Sequence, residues 1–177
     1  MAACVIDASI AAAWILPDER NEAADALMAG LAATPGRVPS LFWFETRSLF
    51  LNAERRGRLK PGEAVLSMAQ LRGLPLQDDG AGNDRAVLTL AARRALSAYD
   101  ASYLALAIER ALPLATADQR LAAAARAEGI AVLGPPTPSC ARLSPFWPPT
   151  PRPAGRCSST RLPPSCRWTG ATVWRRS

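Results

Sequence analysis

The residues of this chain best placed to do chemistry are isolated carboxylates in apolar surroundings. Asp7 closes the run Cys4-Val5-Ile6, Glu45 follows Phe42-Trp43-Phe44, Asp100 follows Ser97-Ala98-Tyr99, and Asp118 follows Leu114-Ala115-Thr116-Ala117. The chain contains no histidine, which excludes a Ser-His-Asp triad, a Cys-His dyad and any His-based ribonuclease. Gly57, Gly62 and the Gly80-Ala81-Gly82 turn match neither a P-loop nor a dinucleotide fingerprint, because no Gly-Lys-Ser/Thr follows and Arg85 stands where a third glycine would be.

Three of these carboxylates have an ordinary explanation. Asp7 can cap the helix behind it, while Asp100 and Asp118 fall in helix first turns, where negative charge is favoured by about 0.3 to 1 kcal/mol. Glu45 resists such a reading. It shares the i, i+4 face with Leu41 and Leu49, so a helix buried on that side carries a charge inward. An unpaired buried carboxylate costs several kcal/mol, of the order of 3 to 5, unless a cation compensates it. Arg47, Arg55 and Arg58 fall on other faces, and Lys60, the sole lysine, lies beyond the helix end. A hard divalent cation, Mg2+ or Mn2+, fits an all-oxygen set of three or four carboxylates that would otherwise repel and raise one another's pKa.

The elements that must position these groups alternate strand and helix. Cys4 to Ile6 reads as a strand ahead of a helix from Ile10 to Leu16; Pro17-Asp18 restarts a helix that Pro35-Gly36 stops; Val38 to Ser40 reads as a second strand. Ser40 can cap a helix from about Leu41 to Arg56, closed by Gly57, and another helix follows Pro61. Leu74 to Leu76 reads as a short buried strand, and Asp78 to Gly82 as a turn into a helix ending at Ala95. Ser97 to Asp100 is a capping box before the apolar stripe Tyr103, Leu104, Ala107, Ile108 and Ala111. Leu114 to Thr116 is strand-like, Thr116 to Gln119 reads as a second capping box, and a helix to Glu128 ends at Gly129 before a strand from Ile130 to Leu133.

This alternation predicts an α/β fold, a three-layer α/β/α sandwich with a short, mostly parallel sheet, because parallel strands need crossovers. Ligands of open α/β sheets bind beyond the carboxyl ends of the strands, where Asp7 and Asp118 fall.

Charge separates the chain into a domain at 1–135 and a tail at 136–177. The first part holds 14 of the 21 Lys and Arg and all 15 Asp and Glu, a sum of −1, so its net charge does not draw in a polyanion. The tail holds nine of the 16 prolines, three of the five tryptophans and no acidic residue, and reads as a disordered extension or an out-of-frame read-through. A basic arm with Trp147, Trp168 and Trp174 stacking on RNA is the functional counterpart of that reading. Cys4 stands alone while Cys140, Cys157 and Cys166 lie in the tail, which gives neither a disulfide framework nor zinc spacing and fits a reducing compartment. The N-terminus has no positive region ahead of its apolar run, and no run approaches the ~20 apolar residues of a membrane span, so a cytoplasmic location is expected.

Four segments together resemble PIN-domain toxins of the VapC kind: Val5-Ile-Asp7-Ala-Ser9, Phe42-Trp-Phe-Glu45 followed by Arg55-Arg-Gly57, Ser97-Ala-Tyr-Asp100-Ala-Ser-Tyr-Leu-Ala-Leu-Ala107, and Leu114-Ala-Thr-Ala-Asp118-Gln-Arg-Leu121. The resemblance runs from residue 3 to about 134. It implies that Asp7, Glu45, Asp100 and Asp118 surround one or two divalent ions, with Ser9 and Thr116 supporting them. Ser48 stands where the family often has Asn, and Arg94 where a His is common.

The reaction this resemblance implies is hydrolysis of an RNA phosphodiester by metal-activated water attacking in line, leaving a 5'-phosphate and a 3'-hydroxyl. Arg55, Arg56, Arg58 and Lys60 could meet RNA phosphates, or could equally be a solvated helix end. The resemblance also implies a cognate antitoxin and a homodimer. Two rivals remain at this level. One is a catalytically silent scaffold that binds an antitoxin. The other is a haloacid-dehalogenase-like phosphatase with Asp7 as nucleophile, disfavoured by Ser9 two residues on and by the lack of a late lysine.

Overall fold

The structure, a computed structural model, describes residues 3–135. The reading of 136–177 as an extension or an RNA-binding arm therefore lies outside the described residues.

Five strands, β1 (Val5–Ile6), β2 (Gly36–Val38), β3 (Leu76–Asp78), β4 (Leu114–Ala115) and β5 (Val132–Leu133), form one sheet in the order β3-β2-β1-β4-β5, with every pairing parallel. The helices are α1 (Ala8–Ile15), α2 (Glu22–Leu31), α3 (Leu41–Arg55), α4 (Glu63–Arg72), α5 (Asp84–Arg94), α6 (Ala98–Arg110) and α7 (Gln119–Ala127). The chain steps outward from β1 to β2 to β3, returns to the other side of β1 at β4, and steps outward again to β5. Because parallel crossovers are right-handed, the outward and return connections lie on opposite faces, with α1 to α4 on one and α5 to α7 on the other. The contacts agree: α1 meets α2 and α3, α3 meets α4, α5 meets α6, and α6 meets α7. This is the expected α/β/α sandwich. The strand order reverses between β1 and β4, so their carboxyl ends flank the crevice at which such sheets bind ligands.

The core is sheet against helix. Val5 and Ile6 of β1 and Leu114 and Ala115 of β4 are fully buried, under Ile10, Phe42 and Phe50 from one set of helices and Tyr103, Leu104 and Leu121 from the other. Cys4 is a free, buried thiol whose pKa burial raises, which suits a core position better than a reactive one. No helix of the described residues is long and apolar enough to cross a membrane.

Several element limits differ from the sequence expectation, each for a local reason. No helix restarts at Pro17-Asp18: residues 17–19 form a turn, and α2 begins after Asn21, whose side chain accepts the Ala24 N–H at 2.9 Å. Strand β2 starts at Gly36 instead of Val38, because Pro39 has no N–H to continue a ladder, while Gly36 lets its neighbours close in. A Cβ at Gly36 would stand 2.9 Å from Ile6 Cγ1 and 2.9 Å from Leu76 Cδ2.

The third strand is Leu76–Asp78 and not Leu74 to Leu76. Pro75 occupies the middle of the expected run, and the observed strand is a half-buried to exposed edge, held by Arg37 donating to both carboxylate oxygens of Asp79 at 2.8 and 2.7 Å. Ser40 makes no side-chain cap on α3; its hydroxyl donates to Asp78 Oδ1 at 2.7 Å, and Trp43 Nε1 donates to Asp78 Oδ2 at 3.1 Å. Asp78 thereby fixes the first turn of α3, the helix that carries Glu45. The capping box expected at Thr116 does not form either. Asp118 is the N-cap of α7, its Oδ1 accepting the Leu121 N–H at 2.9 Å, and Thr116 turns elsewhere.

Candidate functional site

Asp7 follows β1 directly and is buried. It occupies the N-cap position of α1 but makes no side-chain cap bond, so its ordinary explanation fails. Its Oδ2 instead accepts hydrogen bonds from Ser9 Oγ at 2.5 Å and from Thr116 Oγ1 at 2.7 Å. Each hydroxyl is itself held by the backbone beyond β4, Ser9 Oγ accepting from the Ala117 N–H at 2.9 Å and Thr116 Oγ1 from the Asp118 N–H at 3.0 Å. Two parallel strand ends are thus tied together through the carboxylate of the first.

Glu45 and Asp100 come from helices on opposite faces of the sheet. Tyr103, one turn past Asp100 on α6, donates its phenol hydroxyl to Glu45 Oε2, a short bond spanning the crevice. Ser97 caps α6 through the Asp100 N–H at 3.0 Å, and its hydroxyl donates to Asp100 Oδ2 at 2.8 Å. Each carboxylate is therefore anchored through one oxygen: Oδ2 of Asp7, Oε2 of Glu45, Oδ2 of Asp100 and Oδ1 of Asp118. The second oxygen of each takes part in none of those bonds.

The four groups feel one another. Burial raises the pKa of Asp7, and the charges of Asp100 and Asp118 add to the rise against the Ser9 and Thr116 hydrogen bonds. Glu45 is pushed up to about 7, by burial first, with Asp7 and Asp100 adding and the Tyr103 bond opposing. Asp100 is raised by burial and then by Asp118, against the Ser97 bonds and the charge of Arg120, which forms no ion pair with it. Burial, together with the facing Asp7 and Glu45, drives the Tyr103 phenol far above its ordinary value, so it remains a donor.

None of the four carboxylates forms an ion pair with Lys or Arg among the described residues. The crevice holds an excess of negative charge, offers only oxygen donors and lacks an internal counter-ion, a donor set suited to Mg2+ or Mn2+. Among the described residues no three acidic or other ligating side chains already stand as a direct ligand set around one point. That spacing is the one expected of like charges pinned to four separate elements, and Mg2+, which keeps several of its waters, needs direct contact from only one or two of them.

Two residues that the sequence reading did not single out for this site shape it. Tyr103 was expected only as part of an apolar stripe, although its hydroxyl shares the i, i+3 face with Asp100. Tyr103→Phe should keep the fold, since the ring is fully buried, and should weaken divalent-ion binding about 10- to 100-fold by freeing Glu45, as Mn2+ titration would measure. Gly134, just past β5, has φ 136°, and a Cβ there would run into the Thr116 carbonyl oxygen. Gly134→Ala should cost about 1 to 3 kcal/mol in urea unfolding, because the backbone that carries Thr116 must shift.

The expected basic segment divides. Arg58 is committed to Asp18 at 2.8 Å and to Glu19 at 2.5 Å, so it is not a free phosphate contact, whereas Arg55, Arg56 and Lys60 are exposed. Arg94 donates to Glu128 at 2.6 Å, a structural pairing.

The PIN domain family matches residues 4–127 of the chain. No curated protein matches it. Among solved structures, PAE2754 from Pyrobaculum aerophilum shares 23% identity at a TM-score of 0.58, over 72% of this chain and 81% of that one. FitAcB from Neisseria gonorrhoeae shares 18% at a TM-score of 0.48, over 73% and 95%. A toxin-antitoxin complex from Klebsiella pneumoniae shares 18% at 0.42, over 65% and 86%.

Proposed function

The chain belongs to the PIN domain family, and on that premise we propose that it is a divalent-metal-dependent endoribonuclease, the toxin of a toxin-antitoxin pair. PIN domains are generally nucleases, and PIN nucleases typically use divalent metals. What supports the reading is that the charge of Asp7 acts on Glu45, those of Asp100 and Asp118 act on Asp7, and that of Asp118 acts on Asp100, with no ion pair from any of the four to Lys or Arg among the described residues.

In this reading the oxygens of those carboxylates left outside their anchoring bonds would hold Mg2+ or Mn2+. When bound, such an ion lowers the pKa of water and offsets charge on phosphoryl oxygens. The chain's own contribution is position. Ser9 and Thr116 fix the Asp7 carboxylate, Tyr103 orients Glu45, and Ser97 orients Asp100. An attacking water lying among the carboxylates can give its proton to whichever of Asp100 and Asp118 faces it, and the burial that raises Asp100 strengthens it as an acceptor. Arg55, Arg56 and Lys60 supply exposed positive charge for the RNA backbone beyond the crevice. A cognate antitoxin and a homodimer belong to the same proposal and rest on the sequence resemblance; a cytoplasmic location is proposed with them.

The test is cleavage of single-stranded RNA by the full chain with Mg2+, with Mn2+ and with EDTA. Cleavage in either metal and none in EDTA is the expected result. RNA left intact under all three conditions would favour a noncatalytic, antitoxin-binding scaffold.

A further inference from the structure

A cavity of about 310 Å³ opens beside Asp118, between the end of β4 and one face of α7. One wall is Ala122, Ala123 and Arg126, at helical spacing from Asp118, and the floor is Val132, Gly134 and Pro135. Its size reaches the lower end of ligand sites, about 300 to 1,000 Å³. Small side chains make the room, and Gly134 has no side chain to fill it. Arg126 is exposed and forms no ion pair among the described residues. It is the one cation among the described residues of the lining. Eight residues of helix separate it from Asp118, about 12 Å along the axis. A strand with its scissile phosphate over the carboxylates would therefore run its next nucleotide along the cavity toward this guanidinium.

We propose that this cavity is a nucleotide subsite: it receives the unstacked nucleotide beside the scissile phosphate of a single-stranded RNA, with the base against the alanine wall and a backbone phosphate at Arg126. The inference rests on the nuclease reading and adds a direction to it, since it places the strand across the β4/β5 side of the crevice. A base held there must leave its neighbours' stack, so loops and unpaired segments qualify and continuous duplex does not.

The test is binding of a fluorescein-labelled single-stranded oligoribonucleotide to the full chain in EDTA, followed by anisotropy, for the wild type, Ala123→Trp and Arg126→Gln. Ala123 is exposed, so a tryptophan there fills the cavity without entering the core, and circular dichroism checks both variants. Ala123→Trp should weaken binding about tenfold or more, equal to about 1.4 kcal/mol. Arg126→Gln should lower the slope of log affinity against log salt by about 0.7, the single-strand value for one phosphate contact. Wild-type affinity and salt slope in both variants, with RNA binding and metal-dependent cleavage intact, would overturn the subsite and leave the nuclease standing. A wild-type chain that neither binds nor cleaves RNA would overturn both.

Discussion

Asp7→Asn should abolish RNA cleavage, by about 10^2- to 10^3-fold or more, while leaving the metal-free protein at least as stable as the wild type. The two halves of this expectation have one cause. Asp7 is buried, has its pKa raised and faces two further carboxylates, so its charge opposes folding until a cation arrives. The amide keeps an oxygen for Ser9 and Thr116, so the tie between the ends of β1 and β4 survives. Melting in EDTA should place the variant at or above the wild type. Adding Mg2+ should reverse the order, because a ligand that binds only the native state stabilises it by RT ln(1 + [L]/Kd) and the variant has lost a ligand. A residue serving only as a helix cap would show no such reversal, since Asn caps a helix about as well as Asp and the variant would gain no special dependence on metal.

The second large effect concerns Glu45. Its carboxyl titrates near 7 in the folded, metal-free chain and near the ordinary value of 4.5 in the unfolded chain. Between those values the native state binds the extra proton, so stability falls as pH rises through that window and levels off above it. Asp7, Asp100 and Tyr103 face the same crevice, and the two aspartates are shifted in the same direction, so neither reverses the sign. Thermal melts in EDTA from pH 5 to 8 should show this decline. Saturating Mg2+ should flatten it, since the ion favours the ionised carboxylates. Glu45→Gln should make it shallower without metal, and should lose cleavage by about 10^2-fold or more through loss of a ligand that Tyr103 holds in place. A wild-type curve that rises between pH 5 and 7 in EDTA would contradict the burial of an uncompensated charge at this position.

Much of this arrangement was legible in the sequence because the decisive residues break local patterns. Glu45 on a half-buried helix face demanded a cation, and the alternation of strands and helices required a parallel sheet whose strand ends carry Asp7 and Asp118. The Ser97 cap was equally visible, since a hydroxyl three residues before an acid is a local signal. What escaped depends on partners distant in sequence. Nothing near Tyr103 announces a bond to Glu45, 58 residues away, so the residue looked like plain core. Thr116 presented a capping pattern, but Asp7, 109 residues away, captured its hydroxyl, and Asp118 capped the helix instead. Arg58 appeared free to meet RNA until the turn at residues 17–19 brought Asp18 and Glu19 to it. Strand limits shifted by two residues where Pro39 and Pro75 withhold an N–H, an effect that runs of apolar residues do not reveal.

The central claim is that four acidic side chains from separate elements serve one divalent cation, and anomalous diffraction from crystals grown with Mn2+ tests it most directly. The account predicts a manganese peak in the crevice between the ends of β1 and β4, within direct or water-mediated reach of Asp7, Glu45, Asp100 and Asp118, and absent from crystals of Asp7→Asn. A crevice without manganese at saturating concentration, or with arginine side chains folded in to neutralise these carboxylates, would contradict it.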